Sequence, residues 1–169
     1  MISPATLHVI STELVVGMFA LSGVCFLMCM LEIGPQVRVN VAHWALLGGL
    51  LATPVAIMTG LAASPGEGLD SPLLANKLLL SMSSIGIATG VLIRKKLGAE
   101  VDRLHSGLGM IAVGMVLLTA GIGGEFSRGE TLIFFVPKDI VILFPMWASA
   151  IILILGMVLI GKSTIQHRV

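Results

Sequence analysis

Uncharged residues gather into five long runs separated by short charged stretches. Residues 14–31 hold 18 uncharged positions, 39–66 hold 28, 78–93 hold 16, 104–124 hold 21 and 140–161 hold 22. The third lengthens toward Pro72 through the uncharged residues ahead of Lys77. A helix that crosses hydrocarbon needs about 20 mostly apolar residues, so each run is long enough. Strand alternation is missing, which removes the closed barrel, the other fold that lipid accepts. The pattern predicts an all-α polytopic membrane protein. Residues 1–131 form a four-helix transmembrane bundle, and residues 132–169 add a fifth transmembrane helix and a short tail. The first run is expected to persist rather than to be cleaved, since no basic segment precedes it and Glu13 interrupts it early.

Composition agrees with the pattern. Of 169 residues, 56% are hydrophobic and 11% charged, with a mean hydropathy of +1.05. A soluble domain carries about 25% charged residues to cover its core. Ten Lys and Arg against nine Asp and Glu leave no basic surplus, so nucleic acid is not an expected partner. Two cysteines in apolar sequence make neither a disulfide framework nor a zinc site. The basic residues sort by side. Arg38, Arg94, Lys95, Lys96, Arg103, Lys162 and Arg168 fall on one face, and Lys77, Arg128 and Lys138 on the other. The positive-inside rule then puts the N-terminus outside and the C-terminus in the cytoplasm.

Small residues mark where helices are expected to touch. Gly86 and Gly90 make a G-x-x-x-G pair with Ser83 a turn earlier, and Gly107, Gly114 and Gly121 recur every seven residues. Such positions let backbones approach, which matters where lipid supplies no hydrophobic drive; packing within the bundle is the plainest use of them. The fifth run reads differently. Ile140–Leu143 and Ile151–Leu159 are bulky, Pro145 can kink the helix, and Phe134-Phe135-Val136-Pro137 leads in with aromatic bulk. Residues 134–161 are therefore expected to be the main docking surface for other membrane subunits, with lipid around the rest.

Few polar groups lie at membrane depth, and each is costly there. Glu13 and Lys77 enter their spans from the same side, and an ion pair between them would lower the cost of burying either. Met18, Ser22, Cys25 and Cys29 share one stripe of the first span; sulfur of this kind suits Cu(I), and is also ordinary packing material. His43 and His105 stand near the starts of the second and fourth spans, which a simple up-down bundle places diagonally across the core. They are candidate axial ligands of one haem b, with Arg38, Lys95, Lys96 and Arg103 available for propionates. Gly109 and Ala112 would clear room beside His105, whereas Leu46, Leu47 and Leu50 beside His43 would not. The other reading makes His43, with Trp44, and His105 interfacial residues that anchor helix ends.

Three short segments carry a resemblance. Ser3-Pro4-Ala5-Thr6-Leu7-His8-Val9 resembles a His-Pro-x-x-Val-His-Phe opening, Pro72-Leu73-Leu74-Ala75-Asn76 a His-Ala-Leu-Leu-Asn segment, and Gly121-Ile122-Gly123-Gly124-Glu125 a closing Gly-Gly-Glu. These motifs belong to a widespread prokaryotic family of four-helix membrane domains of unknown function. The resemblance covers residues 3–131 and leaves the fifth helix as an addition. It implies a shared polar site of His8, Asn76 and Glu125 at the exoplasmic end. Ser3 and Pro72 stand where the family pattern has histidines, so a family metal or haem site would lack two of its ligands here.

Three functions are compatible with these features. The preferred one is a small non-catalytic subunit of a larger energy-converting or redox membrane complex. The second is a b-type haem electron-transfer subunit built on His43 and His105. The third, a transporter using Glu13 and Lys77, lacks the internal repeat and broken helices that transporters show. No nucleophile triad, metalloprotease motif or phosphate-binding loop occurs, so an autonomous enzyme is not expected.

Overall fold

A computed structural model describes residues 3–63, 72–128 and 145–165. Five helices occupy the described residues: α1 (Pro4–Met30), α2 (Val37–Ala63), α3 (Pro72–Lys96), α4 (Arg103–Arg128) and α5 (Met146–Ile165). No strand occurs among them. Four stretches are long and apolar enough to cross a membrane: Pro4–Met30, Val37–Ala63, Asn76–Lys96 and Arg103–Gly124. In α5 the apolar stretch found, Leu153–Lys162, is shorter than a crossing requires.

Local chemistry sets the helix ends. Ser3 caps α1, its hydroxyl accepting from the Thr6 N–H at 3.1 Å, and Pro4 follows where its missing N–H costs nothing. The Asp102 carboxylate accepts from the His105 backbone N–H at 2.7 Å and so caps α4. Gly98, at φ +82°, closes α3 in the left-handed conformation that favours glycine. Arg94, Lys95 and Lys96 occupy the last turn of α3, where cations meet the negative end of the helix dipole. Pro54 lies inside α2, and the helix continues through it. Pro145 does not kink the fifth helix; it stands just before Met146, and its carbonyl accepts from the Ala148 N–H at 2.8 Å.

The first four helices close a ring in chain order. Each of α1 to α4 packs on its two ring neighbours, and among the described residues the diagonals, α1 with α3 and α2 with α4, have no backbone contact. Residue pairings give the directions. Phe19 meets Gly49 and His8 meets Gly60, so α1 and α2 are antiparallel. Phe26 meets Gly109 and Gly23 meets Val113, so α1 and α4 are antiparallel as well. The core is made by Phe19, Phe26, Leu46, Leu80 and Val91, together with buried Ser22, Ser83, Ser84, His105 and Ser106. Large apolar side chains such as Leu51, Met58 and Ile111 point outward instead. Serines and histidines among the buried residues, with many bulky apolar side chains outside, are the pattern of a bundle solvated by lipid.

Outside the ring, α5 packs on α3 alone among the described helices. Gly156 faces Gly86, and Gly90 faces Leu159 and Ile160, so the two helices run parallel. A Cβ at Gly156 would lie 3.1 Å from the Gly86 carbonyl carbon, which makes this a backbone-to-backbone contact. The G-x-x-x-G pair thus packs within the chain. Ile151–Leu159, expected to be uniformly bulky, holds in Gly156 the one small residue that this contact needs. Gly156→Leu should detach α5. Overpacking of this kind costs about 1–3 kcal/mol. A disulfide formed between cysteines placed at Gly90 and Ile160 should be lost in that variant, while the four-helix ring keeps its thermal transition.

Candidate functional site

Three polar places can be built up from the residues. The first joins α2 to α4 across the ring. His43 is 7% exposed and His105 fully buried, and their Nε2 atoms are 2.8 Å apart. On its other side His43 Nδ1 lies 2.6 Å from the Val39 carbonyl oxygen. A carbonyl only accepts, so Nδ1 carries the proton and donates. With both rings neutral, as an apolar interior favours, His43 Nε2 is then the acceptor and His105 Nε2–H the donor. His105 Nδ1 is left as a bare acceptor, buried and without a hydrogen-bond partner among the described residues. Phe26 of α1 packs against both rings, edge-on to His43 at a centroid distance of 5.3 Å and tilted to His105 at 6.2 Å.

The diagonal placement expected for the two histidines is therefore present, and they meet directly. A haem between them needs two metal–imidazole bonds of about 2.0 Å each, hence Nε2 atoms about 4 Å apart. Here they are hydrogen-bonded. The room that Gly109 was expected to leave for a porphyrin is filled by Phe26, whose ring would lie 2.5 Å from a Cβ at that position. The Asp102 carboxylate holds the His105 backbone N–H rather than its ring. Arg38 donates to the Gly34 carbonyl, and Arg103 pairs with Glu32 at 3.4 Å on the exposed surface. This arrangement does not fit a haem.

The second place is at the opposite end of the ring. His8 Nδ1 donates to the Ala56 carbonyl at 2.9 Å, with Thr59 Oγ1 at 3.4 Å and Thr12 Oγ1 at 3.5 Å. Ser11 Oγ donates to the His8 carbonyl at 3.0 Å and lies 3.2 Å from Thr59 Oγ1. The imidazole fits against α2 because residue 60 is glycine; a Cβ there would stand 2.8 Å from His8 Cε1. Asn76 is buried near the start of α3. Glu125 continues α4, and its side chain lies outside the described residues.

The third place corrects an expectation. Glu13 is exposed, and among the described residues the ion pair found is Arg103–Glu32, not Glu13–Lys77. The reason is topological, because α1 and α3 oppose each other across the ring. The Lys77 ammonium turns to α4, where the missing side chain of Gly123 makes room; a Cβ there would meet Nζ at 2.6 Å. The sulfur stripe of α1 is packing: Cys25 is buried, and Met18 fills the notch at Gly48. No group of three or more metal-ligating side chains converges among the described residues.

Comparison of the chain with protein-family models, curated proteins and solved structures finds no match. The resemblance in the three short segments therefore stands on those residues alone.

Residues that sequence reasoning passed over include Phe26, Thr59 and Gly60. Their signals are weak ones, a lone aromatic on a buried stripe and a Thr-Gly pair late in a span. Nitrogen-15 spectra of histidine-labelled protein should show His43 as the Nδ1–H tautomer and His105 as the Nε2–H tautomer. Removing one ring strands its partner, so His43→Ala and His105→Ala should each cost about 1–3 kcal/mol. The double variant should cost less than the sum of the two, read as a coupling energy from thermal or denaturant unfolding in micelles.

Proposed function

We propose that the chain is a non-catalytic subunit of a larger energy-converting or redox complex in a prokaryotic cytoplasmic membrane. One observation carries this reading: several polar side chains of the interior bond across from one helix to the next. His105 bonds His43, His8 bonds the Ala56 carbonyl, Ser22 the Ala42 carbonyl at 2.8 Å and Ser84 the Ala112 carbonyl at 2.9 Å. A centre that binds or turns over a substrate keeps such groups aimed at a cavity. Here they hold a scaffold together.

In this reading the uncharged run 140–161, rather than the shorter stretch Leu153–Lys162 alone, makes a fifth crossing that α5 carries. One side of it lies on α3, and Trp147, Ile151, Ile154, Leu155 and Val158 remain exposed as the face offered to a neighbouring subunit. The similarity to the four-helix family supplies the remainder of the bundle, with α5 as the addition that fits it to its complex. Orientation follows the basic residues. Arg38, Arg94, Lys95, Lys96, Arg103 and Lys162 share one end of the helices and belong in the cytoplasm, with the N-terminus outside.

A second reading, a b-type haem electron-transfer subunit, is favoured by the meeting of His43 and His105. It requires the two Nε2 atoms to part and Phe26 to leave the notch at Gly109. Purification from native membranes separates the two. Co-migrating chains without a Soret band belonging to this chain support the scaffold; a reduced-minus-oxidised b-type spectrum abolished by His43→Ala replaces it with the haem reading. Removal of residues 146–165 should release the chain from its complex. Labelling of a cysteine at Lys96 from outside intact cells would reverse the orientation, whereas labelling at Glu130 is expected.

A further inference from the structure

An apolar groove of about 400 Å³ runs along the outer surface between α1 and α2. Met18 and Leu21 form one wall, and Val37, Asn40, Val41 and Trp44 form the other. From Val37 to Trp44 the groove follows two turns of α2, about 10 Å into the membrane from the basic end. We propose that it binds one anionic phospholipid, an acyl chain lying in the groove and the phosphate held at its mouth by Arg38 and Asn40.

Five observations lead there. The groove lies on the outer surface between α1 and α2, two helices long and apolar enough to cross a membrane. Its single polar wall residue, Asn40, is exposed and sits within the first turn and a half of α2, at headgroup depth, where an amide can donate to a phosphate or ester oxygen. Arg38, beside Val37, gives one guanidinium nitrogen to the Gly34 carbonyl, while its Nε is buried without a hydrogen-bond partner among the described residues. Glu32, the acid of the same connection, is already engaged by Arg103, so the positive charge of Arg38 is not cancelled locally. Trp44 is 70% exposed at the lip, as a ring that borders lipid should be. A guanidinium recognises phosphate through paired, charge-assisted N–H bonds, and an anionic headgroup adds a net charge that a zwitterionic one lacks.

The probe is the full chain in nanodiscs of equal parts phosphatidylglycerol and phosphatidylcholine, with retained lipid counted by native mass spectrometry after extraction. The wild type should retain phosphatidylglycerol in preference. Arg38→Gln should lower that retention about tenfold, the size of a lost charge-assisted bond. Val41→Trp, which fills the groove, should lower it as well; Arg38→Gln, at a half-exposed position, keeps the test decisive if the tryptophan variant does not insert. Lys162→Gln, at the same end on α5, should retain lipid as the wild type does. Equal retention of the two lipids by the wild type, or unchanged retention in Arg38→Gln, overturns the proposal. Equal losses in Lys162→Gln and Arg38→Gln also overturn it, since they assign the lipid to the whole basic belt.

Discussion

A polar group in hydrocarbon has no water to return to. Each buried hydroxyl, imidazole or amine in this bundle therefore needs a protein partner, and the available partners are other side chains and the carbonyls of neighbouring helices. That constraint accounts for the bonds that cross from helix to helix. Ser22 and Ser84 reach across to carbonyls of α2 and α4, and His8 reaches the Ala56 carbonyl of α2. Such bonds are modest, averaging about 0.6 kcal/mol in a measured membrane protein. Their value is that they work at fixed positions. A serine that bonds one carbonyl fixes the register of two helices, which apolar packing by itself leaves free to slide.

Close packing supplies the rest, in two forms. Inside the ring an aromatic or long side chain enters the notch of a glycine on the next helix: Phe19 at Gly49, Phe26 at Gly109, Lys77 at Gly123. Between α3 and α5 two glycines meet backbone to backbone. The first form makes an interface specific for one residue pair. The second asks only for a small surface on both helices, which suits a helix added to the outside of a finished bundle. Side chains that would have driven association in water, the large aliphatics, instead cover the lipid-facing surface.

How much of this could be read beforehand depends on range. The four long crossings follow from apolar run length, a property of contiguous residues, and so does the gathering of basic residues at one end. The meeting of His43 and His105 follows from two steps, matched depth in alternate spans and the diagonal of an up-down ring. A haem between them, the second reading, does not fit this arrangement, because the space beside Gly109 belongs to Phe26 of a third helix, and no spacing within α2 or α4 reports that. The Glu13–Lys77 pair failed for a related reason. Depth matched, but the helices lie on opposite corners, and a lysine with a glycine opposite it on an adjacent helix turns there instead. Gly156 was legible as a glycine and was passed over among its bulky neighbours; its partner is set by tertiary contact.

The two ends of the ring are held differently, and the difference bears on what the bundle can do. At the His8 end the polar ties join adjacent helices, α1 to α2, with Lys77 of α3 set against α4. At the basic end the His43–His105 bond spans a diagonal, and a diagonal bond fixes the width of the ring as well as the register of its members. Phe26 then packs on both rings from α1, so three of the four helices are pinned at one level. Adjacent ties permit a ring of four to shear, as a hinged square does; a brace across one diagonal removes that freedom. The basic end is thus the rigid end. A rigid end, with Trp44 on its outer face and a hydrogen-bonded histidine pair inside, keeps its width and register while the other end is freer to shear.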